Sequence, residues 1–503
     1  MRLIPLSRRD VVRAAGAAAL SLASGGLLAA CGAAATVSTN TTAAAPATST
    51  VAAVSAATTA AATTAAAPST AQTASTAAAT AKTSSAAAAP AAHANAVDFW
   101  QWGSGYVPGF DTLTAAYVAA NAGKQVVPSN PSGYWNKVVA TLAAGTGPDV
   151  FLMNNVNFKQ YAKNGSVADL SSYVNADKAA SANFKAMLAS AQDWYQYHGK
   201  AMGMPWDYST GVVSYNLDQF KAASLTPPAE LGQQWNWTTM RDYATKLSQK
   251  QGSSQTRSGM WVYNGLENGW YTFAVASGAQ FFNANLDQCT ISSPEAAAGL
   301  EFLLSMMKDG VAAPQSFQDT ALKANNSDNN GEIFTHGVTS MMLDGDWMFT
   351  AYEKVKSLSW DATIFPYAPN GKTANTSNLR GLVMNPAAKQ KDQAWAWMAY
   401  LMTPAVQNQI PQLLGEVPAN NDAAKTYYFD PTKGGPPAGR KTLAPDLDAT
   451  TPLPASDLVA WGDISKAAGK WIGQVYQFTL APADALKQLQ DEINGMIAAA
   501  KPK

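Results

Sequence analysis

VDFWQWGSGYVPGFDTLTAAYVAANAGKQVVPSNPSGYWNKVVATLAAGTGPDVFLM, residues 97–153, is the stretch that decides the fold. Val97, Asp98, Phe99 and Trp100 form a short β-prone run. Leu113, Ala116, Tyr117 and Ala120 then recur at helical spacing, and Gly123 is a good helix stop. Gln125, Val126 and Val127 read as a second strand. Trp135, Val138, Val139 and Leu142 follow the pattern of one helix face, with Gly145 behind them. Asp149 to Met153 is an apolar run suited to a strand covered on both faces. Strand, helix, strand, helix, strand predicts an α/β domain on a parallel sheet. Ligands of such sheets bind beyond the carboxyl ends of the strands. Those ends are Gln101-Trp102-Gly103-Ser104 and Asn154-Asn155. An indole, a hydroxyl and two carboxamides suit a neutral, hydroxyl-rich ligand, because a sugar ring has an apolar face to stack and hydroxyls to fix.

Outward toward the N-terminus the chain reads as an address. Ser7 to Arg13 resembles a twin-arginine export motif, and an Ala- and Leu-rich run from Ala14 to Ala30 follows. At about 17 residues that run is short for a membrane span and right for a signal peptide. Leu28-Ala29-Ala30-Cys31 looks like a bacterial lipobox, so residues 1–31 are expected to be a signal peptide with Cys31 as the lipidated residue. Residues 32–96 are almost wholly Ala, Thr, Ser and Pro, a composition that cannot build a core, and they read as a disordered tether.

The 503 residues leave room for two or three domains, and all 15 Trp fall after the tether. Lys+Arg and Asp+Glu both total 34, so no basic surface argues for nucleic acid or for a membrane face. With Cys31 assigned to the lipobox, Cys289 is left as a small buried thiol. The three histidines have no metal-ligand spacing. Gly103, Gly105 and Gly109 are one residue too widely spaced for a dinucleotide loop, and no acidic residue ends the second strand. Asn326, Asp328, Asn330 and Gly331 hint at a calcium loop, but Gly337 stands where the bidentate Glu belongs. No metal and no cofactor are expected.

Several segments together resemble one family, the extracellular solute-binding proteins of the sugar-binding type. They are Gly145 to Val150, Gly165 to Leu170, Gly203-Met204-Pro205-Trp206-Asp207 with Tyr215-Asn216, Trp235 to Thr238, Met341 to Trp347, Ala394 to Pro404 and Ala485 to Asn494. The resemblance implies an α/β, two-lobe periplasmic-binding-protein-like type II fold with a hinge and an interlobe ligand cleft. It implies residues 97–206 and 366–402 for lobe one, and 208–362 and 405–500 for lobe two. It also implies a monomeric receptor, lipid-anchored outside the cytoplasm, that passes a mono- or oligosaccharide to ABC permease subunits. The expected ligand contacts are Trp102, Ser104, Asn154, Asn155, Trp206, Asp207, Glu267, Trp270, Asp346, Trp347 and Arg380. Trp135, Trp194, Trp395 and Trp397 are expected in the core; Glu416 could line the cleft, with an exposed loop the favoured place.

Two rival functions use the same residues. A secreted glycoside hydrolase would need two carboxylates about 5–10 Å apart across the cleft, and Asp207, Glu267 and Asp346 could supply them. A receptor for a charged solute, such as a polyamine or a phosphodiester, would show several unpaired cleft charges of one sign.

Overall fold

The apolar runs of the sequence become the strands of two sheets. The structure is a computed structural model that describes residues 95–326, 330–446 and 450–501. The export segment, Cys31, the tether up to residue 94 and Asp328 lie outside the described residues. The chain runs β1 (Ala96–Trp100), α1 (Val107–Ala120), β2 (Gln125–Ser129), α2 (Tyr134–Ala143), β3 (Val150–Asn154) and α3 (Asn155–Lys163). It continues with β4 (Met204–Ser209), β5 (Gly211–Asn216), α4 (Trp237–Leu247), β6 (Gln249–Gln251), β7 (Ser254–Trp261), α5 (Trp270–Ser277) and α6 (Pro294–Lys308). Then come β8 (Thr339–Gly345), β9 (Trp360–Thr363), β10 (Thr376–Met384), α7 (Lys391–Leu401), β11 (Val417–Pro418), β12 (Thr451–Pro452), α8 (Trp461–Tyr476) and α9 (Pro482–Ala500).

The first sheet has the order β11-β4-β10-β3-β1-β2, with β12 paired to β10. Strands β2, β1 and β3 are mutually parallel, as the opening stretch predicts, and β10 runs antiparallel to both β3 and β4. All five residues of β3 are buried, which fits a strand covered on both faces. The second sheet has the order β9-β5-β8-β7-β6. Residues 405–419, placed with lobe two by the sequence reading, instead keep company with the first sheet. There β11 pairs with β4, and Val406, Ile410 and Leu414 join the same apolar cluster as Phe99 and Trp206.

Both early helices form, with one change of face. In α1 the buried residues are Phe110, Leu113, Thr114 and Tyr117, and Ala116 and Ala120 are exposed. In α2, Tyr134 and Val138 go inside while Val139 is 55% exposed. The Tyr134 phenol sets this rotation by donating to the Leu152 carbonyl at 2.7 Å, so a large aromatic outcompetes Val139 for the sheet. In the second half α5 and α6 approach closely because Gly299 lacks a side chain; a Cβ there would stand 2.5 Å from the Phe273 carbonyl oxygen. The second-half core is strongly aromatic, with Trp237 stacked on Phe302 at 4.5 Å between centroids.

At its first crossing between the two sheets the chain spends a single residue, whereas its return from β9 to β10 takes residues 364–375. Strand β4 ends at Ser209 and β5 starts at Gly211, so Thr210 alone stands between them. Thr210 is buried, and both of its backbone polar groups are used: its N–H donates to Asp346 Oδ1 at 3.0 Å, and its carbonyl accepts from the Asp346 N–H at 3.1 Å.

Candidate functional site

Three charged side chains meet at the edge of the first sheet nearest Thr210. Asp207 on β4 and Arg380 on β10 are cross-strand partners, and the register slips by one residue just after Arg380. Arg380 Nε donates to Asp207 Oδ1 at 2.8 Å and Nη2 to Oδ2 at 2.5 Å, a two-pronged pairing. The same Nη2 lies 3.1 Å from Glu416 Oε1, on the residue before β11. Glu416 also accepts from the Tyr106 phenol and, through Oε2 at 3.1 Å, from Ser209 Oγ. The guanidinium lies over the Tyr106 ring at 4.3 Å and over the Trp102 ring at 5.9 Å. Asp207, Arg380 and Glu416 are all buried. Burial pushes the Asp207 carboxyl up, the Arg380 guanidinium draws it back down, and Glu416 adds to the upward push.

The second half brings its own acids to this place. Asp346 follows the last residue of β8 and is wholly buried. Besides Thr210 it accepts from the Tyr428 phenol at 2.7 Å. Burial, then Glu416 as a like charge, holds its carboxyl well above the usual range. Glu267, in the loop before α5, is half-buried. Burial raises it to about 7, a hydrogen bond from Asn378 opposes the rise, and Glu416 adds to it. Arg440 stacks over Tyr428 at 4.4 Å and donates from Nε to the Pro436 carbonyl at 2.9 Å. Acids from both halves thus gather here, and Arg380 is in direct contact with two of them, Asp207 and Glu416.

The sequence-derived candidates divide in two. Asp207, Arg380 and Asp346 come together here, and Glu267 is electrostatically coupled to Glu416. Trp102 is half-buried, 5.2 Å from both the Tyr134 and Trp135 rings. Trp347 is also half-buried, beside Asp346. Ser104 is exposed on the turn after β1. Asn154 and Asn155 are buried and serve the fold: Asn154 Oδ1 accepts from Asn157 Nδ2 at 2.9 Å, and Asn155 Oδ1 from the Leu379 N–H at 3.1 Å. Trp206 and Trp270 have no exposed surface; Trp206 stacks on Phe110 at 5.6 Å.

Sequence reasoning missed four participants. Glu416, expected on an exposed loop, is buried as the second partner of Arg380. Tyr106 and Tyr428 supply phenols to the two acids. Trp135, expected in the core, is a half-buried neighbour of Trp102. Trp194 is likewise only half-buried, whereas Trp395 and Trp397 are core. The one signal for Glu416 was a lone acid set between Gly415 and Val417-Pro418, which does not distinguish a loop from a strand entry.

Open hollows lie elsewhere on the surface. One of about 610 Å³ is lined by Trp194, Tyr271, Phe281, Phe282, Tyr367 and Pro452, and shares no residue with the charged cluster. Among the described residues no three His, Cys, Asp or Glu are placed to hold a metal, and no helix is long and apolar enough to cross a membrane.

Comparison with known proteins fixes the family. Residues 112–433 match the model of a family described as bacterial extracellular solute-binding protein. The chain belongs to that family. Among its relatives, the diacetylchitobiose binding protein of Streptomyces coelicolor is 23% identical over 384 residues, covering 73% of this chain and 81% of the relative. The sn-glycerol-3-phosphate-binding periplasmic protein of Escherichia coli is 23% identical over 280 residues, covering 54% of this chain and 60% of the relative. In fold, the solute-binding protein resembles an ABC substrate-binding protein of Listeria monocytogenes solved with cycloalternan, at a TM-score of 0.69 and 23% identity, covering 80% of this chain and 98% of the other. The solute-binding protein therefore has the two-lobe α/β fold of such binding proteins, and Thr210 sits at one crossing between its two sheets.

Proposed function

We propose that this chain is a lipid-anchored receptor outside the cytoplasm that closes two lobes on a carbohydrate and delivers it, as a monomer, to ABC permease subunits. The first sheet, with residues 405–419, forms one lobe and the second sheet the other. The observation that carries the reading is the junction at Thr210. Half-buried Trp102, Tyr106 and Trp347 offer ring faces there beside polar groups drawn from both sheets. Ring faces and fixed hydrogen-bonding groups are what a pyranose needs. The Streptomyces relative and the Listeria structure point the same way, since diacetylchitobiose and cycloalternan are carbohydrates. Ser7 to Arg13 and the Leu28-Ala29-Ala30-Cys31 run support export and anchoring.

Binding without turnover fits the carboxylates better than hydrolysis does. Both oxygens of Asp207 are held by Arg380, those of Glu416 by Tyr106, Arg380 and Ser209, and those of Asp346 by Thr210 and Tyr428. Acids so engaged are poorly placed to exchange protons with a glycosidic bond. The test is a melting-temperature screen of the mature chain against neutral mono- and oligosaccharides, with product analysis of each mixture. A rise in melting temperature with no cleavage is expected. Cleaved product, or no shift with any carbohydrate, refutes the reading.

A further inference from the structure

Asn268 was not singled out by sequence, and its setting is unusual. It follows Glu267 and precedes Gly269 and α5. Its backbone is left-handed, with φ of 48°, a conformation Asn tolerates better than most residues. The side chain is 1% exposed, and neither its amide oxygen nor its amide nitrogen has a hydrogen-bond partner. Buried carboxamides are expensive to leave unpaired, so such a group calls for an explanation.

The neighbourhood supplies one. Asn268 Oδ1 is pressed against the strand junction, close enough that a Cβ on Gly211 would stand 2.4 Å from it. Next to Gly211, Thr210 is 1% exposed and its Oγ1 is also unpartnered, although its backbone groups are held by Asp346. Trp270 Nε1, two residues beyond Asn268, is buried without a partner as well. Buried polar atoms without partners therefore flank the strand junction: the carboxamide of Asn268 against Gly211, and the hydroxyl of Thr210 one residue before it, with Glu267 next to Asn268 in the chain and Asp346 bonded to Thr210. A hydroxyl both donates and accepts, and adjacent hydroxyls can engage the two ends of one carboxamide. Asp207 and Glu416 already share the Arg380 guanidinium, so an anionic group would have to compete with two carboxylates for it.

We propose that Asn268, backed by Thr210, reads a pair of neighbouring hydroxyls at the deepest end of the ligand, and that this end of the cleft rejects an anionic substituent. The inference rests on the carbohydrate-receptor reading and narrows it: the ligand class is a neutral polyhydroxylated ring, not a sugar phosphate or a glycerol phosphate.

The test uses the mature chain and calorimetric titration with maltotriose, diacetylchitobiose and other neutral oligosaccharides, alongside sugar phosphates and glycerol 3-phosphate. Asn268→Gly deletes the amide and relaxes the left-handed backbone, so the ligand-free chain should unfold at the same or a higher denaturant midpoint. Its affinity for the neutral ligand that the wild type binds should fall at least about tenfold, the loss of one to two hydrogen bonds. Thr210→Val, which keeps shape and removes the hydroxyl, should weaken binding several-fold, and it carries the test if the glycine variant does not fold. A deoxy analogue lacking a contacted hydroxyl should bind the wild type more weakly but bind Asn268→Gly no worse than the parent sugar does. Unchanged affinity in both folded variants overturns the role of Asn268. Sugar phosphate bound as tightly as neutral sugar overturns the rejection of anions. A wild type that binds no carbohydrate sinks the receptor reading itself, a result distinct from either.

Discussion

Arg380→Met should destabilise the chain sharply at alkaline pH and much less in acid. The substitution keeps most of the side-chain volume and removes the charge that faces Asp207 and Glu416, with contacts at 2.8 and 3.1 Å. At about 4 Å between charge centres and an effective dielectric near 20, one such pair is worth roughly 4 kcal/mol. Stranding a buried partner is observed to cost about 3–5 kcal/mol, so a loss of that size is expected at pH 8. The pH dependence follows from Asp207. With Arg380 gone, burial and Glu416 both still push its carboxyl up, and the downward pull has vanished. A group whose folded pKa lies above its unfolded value gives stability that is present below the unfolded pKa and fades as pH rises through the folded one. The deficit against wild type should therefore grow from pH 5 to pH 8. Urea unfolding of both proteins at the two pH values measures it. A loss under about 1 kcal/mol at pH 8, or one equal at both pH values, refutes the view of Arg380 as the charge that keeps two buried acids in place.

Two other outcomes are expected. Asp344 is buried and held by Ser214 and Tyr352; burial lifts its carboxyl to about 7, so wild-type stability should decline from pH 5 to pH 8. Asp344→Asn should flatten that decline and gain on the order of 3 kcal/mol over wild type at pH 8, and urea unfolding that shows equal slopes would count against it. Trp102→Ala and Trp206→Ala should separate: the half-buried Trp102 should cost ligand affinity with little stability, whereas the fully buried Trp206 should cost about 3–5 kcal/mol of unfolding free energy. Equal stability losses in the two variants would contradict the assignment.

The opening α/β run was legible because its pattern is local. Val97 to Trp100, Gln125 to Val127 and Asp149 to Met153 each announce a strand by apolar content alone, and glycines close both helices between them. The face of α2 was misjudged because Tyr134 carries a polar tip, and its hydrogen bond to the Leu152 carbonyl is a tertiary fact that periodicity does not encode. Half of the site was legible for a related reason. Asp346 and Glu267 stand just outside regular elements, and Asp207 and Arg380 are charged residues set within strands, where a charge is conspicuous in the sequence. Glu416, Tyr106 and Tyr428 were not, because each acts through a partner 82 to 310 residues away in the chain. Trp206 misled through composition: an indole at a strand crossover looks available to a sugar until its burial against Phe110 is seen.

A link of one residue contributes only the two soft torsions of that residue. Whatever rotation the chain makes between Ser209 and Gly211 must pass through φ and ψ of Thr210, and the peptide groups that would turn are both tethered to Asp346. Asp346 is therefore a clip across this link, and because its other oxygen is held by Tyr428, the phenol and the link are fastened to one carboxylate.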